Sequence, residues 1–194
     1  MVRQLLVTFL LAFALSGIAP AADAASGRII SITRPDTPAV MRTDTPVPAE
    51  PAQLFYVQRS KNRNTVIYAA RFDAQGRLDR RNPIAVYWRR YEEEGQVQNL
   101  SLDQRLLAFG VRVRPLPTEG EFDVRFRVMA GARITLRQTG PFAAEMIGSY
   151  GNEEIRLVYG HVEARDDGLI PRVIEGRVFG HDANGDFVDV LIRP

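Results

Sequence analysis

The stretch EFDVRFRVM, Glu121 to Met129, decides what fold to expect. Its apolar residues at the even positions alternate with charged residues at the odd positions. This is the period of a β-strand with one buried face and one solvent face. Eight other stretches read as strands in the same way: LFYVQR, TVIYAARF, IAVYWRRY, VRVR, RITLRQ, EIRLVYGHVEA, RVIEGRVFG and FVDVLI. The stretch PFAAEMIGSY is ambiguous between a helical turn and a strand.

Turn-forming residues, rather than helices, connect these runs. The sequence therefore predicts a mainly β domain, an antiparallel barrel or sandwich of about nine strands with one short helix. The helix is expected at SLDQRLLAFG. There Ser101 and Gln104 have capping-box spacing and Gly110 marks the end. Leu102, Arg105, Leu106 and Phe109 are expected near one face, so that the helix plugs or covers the sheet.

The amino-terminal segment is typical of a secretory signal peptide. Arg3 precedes an eleven-residue apolar run, Leu5 to Leu15, and small residues follow it. We expect a signal peptide at residues 1–24, cleaved near Ala24, with Ala19-Pro20-Ala21 as a rival site. The apolar run is shorter than the roughly 20 residues of a membrane crossing, so we expect no transmembrane segment after cleavage. The predicted location is secreted or periplasmic.

The next segment is expected to lie outside the globular domain. Residues 25–53 contain five prolines among Thr, Asp and Ala, which favours a proline-rich linker or disordered arm. Its short apolar piece, Arg28 to Ile32, is an alternative edge strand. Residues 54–194 are predicted to form a single β domain. The chain has no cysteine, so the domain must depend on its apolar core for stability.

The aromatic stretch PIAVYWRRYEEEG, Pro83 to Gly95, contains the chain's one tryptophan. Two interpretations stand. In one, Trp88, its neighbouring tyrosines and the two arginines line a pocket for an anion and a planar or sugar-like group. In the other, Trp88 is a core residue and Arg89 and Arg90 pair with the acids that follow.

The residues around this stretch also resemble an exported bacterial domain family of unknown function. The similarity is carried by an aromatic-Gln-Arg-Ser segment, an Asn-x-Asn-Thr turn, Pro before Tyr-Trp, and a Gln-containing helix that ends on aromatic-Gly. In this chain these residues are Gln58, Arg59, Ser60, Asn62, Asn64, Thr65, Pro83, Tyr87, Trp88, Tyr91, Gln104, Phe109 and Gly110. Arg90 matches the family's arginine, whereas Arg89 departs from its pattern. The resemblance covers Leu54 to Gly110 well and implies export, but no particular activity.

These observations give a candidate ligand-binding cluster at one end of the barrel, where ligand sites are common. Its members are Arg59, Asn62, Asn64, Trp88, Arg90, Tyr91 and Gln104. The alternative for the SKNRNT segment is a plain hairpin turn, in which the asparagines bond nearby backbone groups.

Charge is distributed unevenly along the predicted domain. Residues 54–140 have 16 basic and 9 acidic side chains, a net +7, whereas residues 141–194 have 5 and 10, a net −5. If the two parts stay apart, a basic surface would face lipopolysaccharide, phospholipid headgroups or phosphate esters. It would contain Arg112, Arg114, Arg125, Arg127, Arg133 and Arg137. No nucleic acid is expected, because the net charge is only +2 and no stacking motif interleaves the basic strands.

The sequence offers few catalytic candidates. His161 and His181 would need further ligands to form a metal centre. The DANGD turn at Asp182 begins like a calcium loop but lacks the later bidentate glutamate, so a β-hairpin turn is favoured. Ser60 and Ser149 lack a nucleophile-elbow context. No catalytic residue, metal site or cofactor is predicted.

The sequence therefore favours an exported, periplasmic, non-enzymatic binding or envelope-associated β domain. Its expected partner is an anionic or carbohydrate-like envelope ligand. The alternatives are an enzyme acting on an envelope carbohydrate or ester, and a lipid-carrying barrel. The sequence does not determine an oligomeric state.

Overall fold

A computed structural model describes residues 28–34, 52–59, 63–126, 132–165 and 172–193. The signal peptide predicted at residues 1–24 lies outside these ranges, as does most of the predicted linker. The strands are β1 Arg28–Thr33, β2 Gln53–Arg59, β3 Thr65–Ala70, β4 Ile84–Arg90, β5 Gln96–Asn99, β6 Val111–Pro115, β7 Glu121–Phe126, β8 Arg133–Gly140, β9 Ala143–Tyr150, β10 Glu153–Arg165, β11 Arg172–His181 and β12 Phe187–Arg193. A 3₁₀ turn occupies Tyr91–Glu93, and a π-helical turn occupies Gln104–Ala108.

All twelve strands belong to one sheet, and β10 is its organising strand. One edge of β10 pairs with β11 along most of its length, and β12 and then β1 extend the sheet on that side. The other edge forks. Residues 153–156 pair antiparallel with β9, whereas residues 159–162 pair in parallel with β2. Two branches leave the fork, β9-β8-β7-β6 and β2-β3-β4-β5.

A β-bulge marks the fork. Leu157 pairs with Gly180 and Tyr159 with Phe179, so Val158 is an extra residue in β10. A bulge bends its strand and increases the local twist, and here it lies where the partner strand on the forked edge changes from β9 to β2. It also resets the alternation of side chains, because Leu157 packs in the main core while Val158 and Tyr159 both pack on the opposite face.

The main core fills the space between the two branches. Phe126 on β7 packs against Phe55 on β2 and Tyr68 on β3, with ring centroids 5.8 and 4.9 Å apart. The sheet is therefore an open, curled half-barrel. The connection from β5 to β6 crosses between the outer edges of the two branches, and it contains the π-helical turn.

A second cluster of buried side chains lies on the opposite face of the sheet. Its rings form a column across four strands, since Tyr56 stacks on Tyr159, Tyr159 on Phe179, and Phe179 on Phe187. The centroid distances along the column are 5.2, 4.3 and 6.0 Å. Offset stacking of this kind adds to the stabilisation that comes from burial alone.

The predicted mainly β fold class is confirmed. All nine predicted strands are present, and the structure adds β1, β5 and β9. β1 is the edge strand that the apolar piece at Arg28 allowed, and β9 settles the ambiguous PFAAEMIGSY stretch as a strand. The sheet is mixed because β2 and β10 run in parallel. Alternation along one strand does not show the direction of its neighbours, so the sequence did not indicate this pair.

Candidate functional site

Trp88 lies in the main core near the end of β4, with its ring enclosed by three neighbours. The residue is 4% exposed. Its Nε1–H donates to Oε1 of Gln104 at 3.0 Å, and the ring of Phe109 meets it edge-on at 5.1 Å between centroids. The guanidinium carbon of Arg90 is 4.8 Å from the ring centroid, in the range of a cation–π contact. Arg90 also donates from Nε to Oε1 of Gln98 at 2.6 Å.

The helical turn beside Trp88 begins with the predicted capping box. The backbone N–H of Gln104 donates to Oγ of Ser101 at 3.2 Å, and the backbone N–H of Ser101 donates to Oε1 of Gln104 at 3.0 Å. The Gln104 side-chain oxygen therefore accepts two hydrogen bonds, one from the cap and one from Trp88. It joins the helical turn to β4.

The prediction that this helix has an apolar face packed on the sheet is wrong. Leu102 is 70% exposed and Leu106 is 50% exposed. The reason is the hydrogen-bond pattern, because the N–H of Phe109 donates to the carbonyl of Gln104, five residues back, at 2.8 Å. The wider π turn places Phe109 on the same face as Gln104, and both residues contact Trp88.

Gly110 and Tyr68 fix the end of the turn. Tyr68 donates from its hydroxyl to the Phe109 carbonyl at 2.9 Å. A Cβ added at Gly110 would collide with the carbonyl oxygen of Arg105. The aromatic-Gly pair of the sequence pattern therefore has a packing role: Phe109 meets Trp88, and Gly110 lets the π turn close.

Asn64 and Glu92 hold the neighbouring turns together. Asn64, which is 5% exposed, donates from Nδ2 to Oε2 of Glu92 at 3.4 Å. Its Oδ1 accepts the backbone N–H of Glu92 at 3.3 Å. This reciprocal pair joins the start of β3 to the 3₁₀ turn after β4. Asn62 lies outside the described residues.

The strand register brings several of the candidate residues to one end of the sheet. Gln58 pairs with Thr65, and Thr65 pairs with Arg89. One step further along each strand, Arg59, Asn64 and Arg90 are neighbours, and by alternation they share the face on which Val57, Val66 and Trp88 pack. Gln104 contacts this group through Trp88.

Tyr91 differs from the other candidates because it approaches the aromatic column on the opposite face. Burial raises the pKa of Tyr56, and the neighbouring Tyr159 and Tyr91 raise it further. The proximity of Tyr91 to Tyr56 separates it from the Arg59, Asn64 and Arg90 group.

Another candidate surface lies on the solvent side of β6, β7 and β8. We call it the arginine face and define it by Arg112, Arg114, Arg125 and Arg133, all exposed. Arg112 pairs with Arg125 across β6 and β7, and the same register one residue beyond the Val124–Ile134 pair places Arg125 opposite Arg133. Three arginines therefore form one row across three adjacent strands.

Two arginines of the row, Arg125 and Arg133, line an open groove of about 460 Å³. Its lining residues are Arg114, Pro115, Leu116, Asp123, Arg125, Arg133, Thr135 and Ser149. Asp123 accepts a hydrogen bond from Nε of Arg125 at 3.1 Å. Among the described residues, no carboxylate lies within 4 Å of Arg112, Arg114 or Arg133.

Arg137, on the same face of β8, is in a different situation. It pairs with Glu121 at 2.8 Å and approaches Glu145 at 3.9 Å. The remaining member of the predicted basic surface, Arg127, lies outside the described residues. Among the described arginines of this face, those without an acidic partner are therefore Arg114 and Arg133, which line the groove, and Arg112 beside them.

A smaller groove of about 190 Å³ lies among His161, Glu163, Glu175 and Arg177 on the other part of the sheet. Arg177 donates to Asp189 at 2.7 Å and to Glu175 at 3.4 Å. Burial raises the pKa of Asp189, an effect that Arg177 opposes and Glu175 reinforces. Arg177 is thus paired with two acids, unlike Arg114 and Arg133 of the arginine face among the described residues.

The histidines and the DANGD turn have local partners. Nδ1 of His181 is 3.3 Å from a guanidinium nitrogen of Arg156, and Oδ1 of Asp182 accepts the backbone N–H groups of Asn184 and Asp186 at 2.9 and 3.0 Å. The DANGD segment is the β-hairpin turn that the sequence favoured, since His181 pairs with Phe187 across it.

Within the described residues, no three His, Asp or Glu side chains are grouped to hold a metal ion. No helix in the same residues is long and apolar enough to cross a membrane.

The pattern of capped π turn, aromatic-Gly and Tyr-Trp strand lies within a region that matches a known family model. The model is that of a domain of unknown function, DUF4833, and it matches residues 55–186. The chain belongs to the DUF4833 family. The matched part of this DUF4833 chain runs from β2 to the turn after β11, so it includes both branches, the helical turn and the arginine face. No curated protein and no solved structure matches the chain significantly.

The groove also contains residues that sequence analysis did not select. Thr135 and Ser149 line it, together with the carboxylate of Asp123. Alternation places positions 133 and 135 on the solvent side of β8, so this signal was available for Thr135. For Ser149 no such signal was available, because the stretch PFAAEMIGSY was ambiguous. In the structure this stretch forms β9, where Ser149 pairs with Arg133.

Proposed function

We propose that this chain is an exported, periplasmic, non-enzymatic binding module of the cell envelope that binds an anionic ligand on the arginine face. The observation that carries the proposal is the row of Arg112, Arg125 and Arg133 beside an open groove. Like charges directly opposite each other across strands destabilise a sheet. A bound anion would offset this cost.

The volume and residues of the groove also support binding. About 460 Å³ is within the usual range of small-molecule sites, roughly 300–1,000 Å³. Pro115 and Leu116 supply apolar surface beside the guanidinium groups. This combination suits a ligand that has an anionic group on a less polar body, such as a headgroup or an acidic sugar.

Export is supported by the charged, apolar and small-residue order of residues 1–24. Mass spectrometry of protein recovered from a periplasmic fraction tests this part. We expect a mature chain that begins after Ala24, or after Ala21 if the rival site is used. Protein that keeps Met1 and stays in the cytosol would contradict export.

The binding part is tested with the purified chain, vesicles of phosphatidylglycerol, and alginate as an anionic glycan. We expect binding to at least one of these probes, with affinity at least fivefold weaker in the double variant Arg125→Gln, Arg133→Gln. Arg105→Gln is the matched control, since Arg105 is an exposed arginine on the helical turn. Its binding is expected to equal that of the unmodified chain. The proposal would be overturned if the chain bound none of the anionic probes.

The cluster at the ends of β2, β3 and β4 is a second candidate surface for the same function. Arg90 covers Trp88 at 4.8 Å, so a ligand that displaces this guanidinium would change Trp88 fluorescence. If Arg90→Gln abolishes binding and the double variant does not, the site belongs at Arg59, Asn64 and Arg90 rather than in the groove.

The other two functions have weaker support. Side chains of the main core occupy the space between the two branches, so the described residues give no support to a lipid-carrying barrel. The small groove at His161 is the place where an enzyme acting on an envelope carbohydrate or ester would be sought. Its Arg177 is already paired with Glu175 and with Asp189.

A further inference from the structure

We infer that the groove on the arginine face recognises the phosphoryl group of a phosphomonoester, which is carried by a sugar or by a lipid headgroup. This inference rests on the proposed function and names the class of ligand. The probes that share this chemistry are glucose 1-phosphate and phosphatidic acid.

Three guanidinium groups line the groove, those of Arg114, Arg125 and Arg133 on three neighbouring strands. Neighbouring strands are about 4.8 Å apart, so the three backbones span roughly 10 Å across the sheet, and the long side chains can reach a common ligand. Guanidinium groups bind carboxylate and phosphate oxygens in bidentate fashion. A carboxylate offers two oxygens, whereas a phosphomonoester offers three terminal oxygens and about −1.5 to −2 charge at neutral pH.

Arg125 is positioned by a neighbouring carboxylate. Its Nε is bonded to Oδ2 of Asp123 at 3.1 Å, and 70% of its side chain is exposed. The bond to Nε leaves the two terminal nitrogens of Arg125 for a ligand. Asp123 therefore acts as a positioning residue, and its single carboxylate leaves the local charge of the groove positive.

Hydroxyl groups lie beside the arginine row. Ser149 pairs with Arg133 across β8 and β9, and Thr135 pairs with Asp123 across β7 and β8. Both line the groove and are partly exposed. Hydroxyl donors next to guanidinium groups suit a ligand rich in acceptor oxygens.

The arginine row differs from a row two positions further along the same face of the sheet. There Arg137 is paired with Glu121 and Glu145, so that row has no excess of positive charge. On the same face, Arg112, Arg114 and Arg133 have no carboxylate within 4 Å among the described residues. The excess positive charge of this face therefore lies at and beside the groove, away from Arg137.

The experiment compares vesicles whose lipids differ in the phosphate. Phosphatidic acid has a monoester headgroup, and phosphatidylglycerol has a diester with one negative charge. We expect the chain to bind phosphatidic acid vesicles at least tenfold more tightly. Glucose 1-phosphate is the soluble arm: competition by it assigns the site to sugar phosphates, and its failure to compete assigns the site to the lipid headgroup. Either result supports recognition of the phosphoryl group.

Three variants accompany the comparison. Arg125→Gln and Arg133→Gln are each expected to weaken phosphatidic acid binding at least tenfold. Arg133→Lys keeps the charge but loses the planar fork, so we expect it to bind anionic vesicles with the preference for the monoester reduced. Arg105→Gln is the control and should behave as the unmodified chain. All three positions are exposed, and circular dichroism verifies that each of the four variants is folded.

The outcomes separate this inference from the function on which it rests. Equal binding of the two lipids, or undiminished monoester preference in Arg133→Lys, overturns phosphoryl recognition and leaves the anion-binding function standing. If the unmodified chain binds none of phosphatidic acid, phosphatidylglycerol, glucose 1-phosphate and alginate, both phosphoryl recognition and the anion-binding function are overturned.

Discussion

At the scale of single residues, a few side chains that the sequence marked as candidates for ligand binding also hold one structural junction. The Gln104 side-chain oxygen accepts hydrogen bonds from the Ser101 backbone and the Trp88 indole. Both lone pairs of this carbonyl oxygen are thereby used. The capping box was predictable from its spacing. The wide π turn was not, because an α-helical period was assumed for the residues between Ser101 and Gly110.

Gly110 gives a prediction at this scale. In Gly110→Ala the new methyl group meets the Arg105 carbonyl oxygen, so the π turn must open. We expect the free energy of unfolding to fall by at least about 3 kcal/mol, the upper part of the range for overpacking. Urea denaturation followed by circular dichroism measures the change.

The matched control is Gly151→Ala. Gly151 has φ +63° and open space around its Cβ position. Its alanine variant should therefore lose only the roughly 1–2 kcal/mol that a left-handed backbone costs an L-residue. Equal losses in the two alanine variants would show that the contact with Arg105 is unimportant.

At the scale of secondary-structure elements, consecutive strands were the predictable part of the sheet. The arginine face lies on β6, β7 and β8, and the cluster of Arg59, Asn64 and Arg90 lies at the ends of β2, β3 and β4. Each set forms an antiparallel meander of strands that follow one another in the chain. Sequential strands usually pair, so alternation was enough to place these residues on shared faces. The fork in β10 was not predictable, because neighbours that are distant in sequence create it.

The bulge at Val158 gives a prediction for β10. Deletion of Val158 joins Leu157 directly to Tyr159 and restores simple alternation, with Tyr159 on the second face and Gly160 on the main-core face. We expect this variant to fold, with a lower melting temperature because the bend at the fork is lost. Thermal unfolding followed by circular dichroism measures it.

Deletion of Gly160 is the comparison for this prediction. It keeps the bulge but moves Val162 from the main core to the opposite face, since every later residue changes sides. We expect the Gly160 deletion to be unfolded or aggregated in gel filtration. If it is as stable as the Val158 deletion, the bulge does not set the register of β10.

At the scale of the whole molecule, buried tyrosines link stability to alkaline pH. Burial raises the pKa of Tyr56, Tyr68 and Tyr150, and it raises the pKa of Tyr159 to about 12, with a contribution from Asp189. In the unfolded chain a tyrosine ionises near pH 10. Between about pH 10 and 12 the unfolded state therefore loses protons that the folded state keeps.

We therefore expect that ionisation of these tyrosines does not affect the free energy of unfolding below about pH 9. Above pH 10 it should fall by roughly 1.4 kcal/mol per pH unit for each of the four tyrosines. Urea denaturation at several pH values measures the fall, and Tyr150→Phe should reduce its slope by about a quarter. Phenolate absorbance from all four tyrosines near pH 10 in a still folded chain would contradict this account.

The parallel pair β2–β10 has a consequence for how the chain acquires its fold. Tyr56 and Tyr159 are partners although about 100 residues separate them, and β11, β12 and β1 can join the sheet only through β10. Closing a loop of this length carries a large entropic penalty before any compensating contacts form. A ribosome-bound chain that ends before residue 153 can form the two meanders but not connect them. The sheet is completed only after synthesis of β10, so folding should be slow, on the millisecond-to-second scale of non-local β topologies.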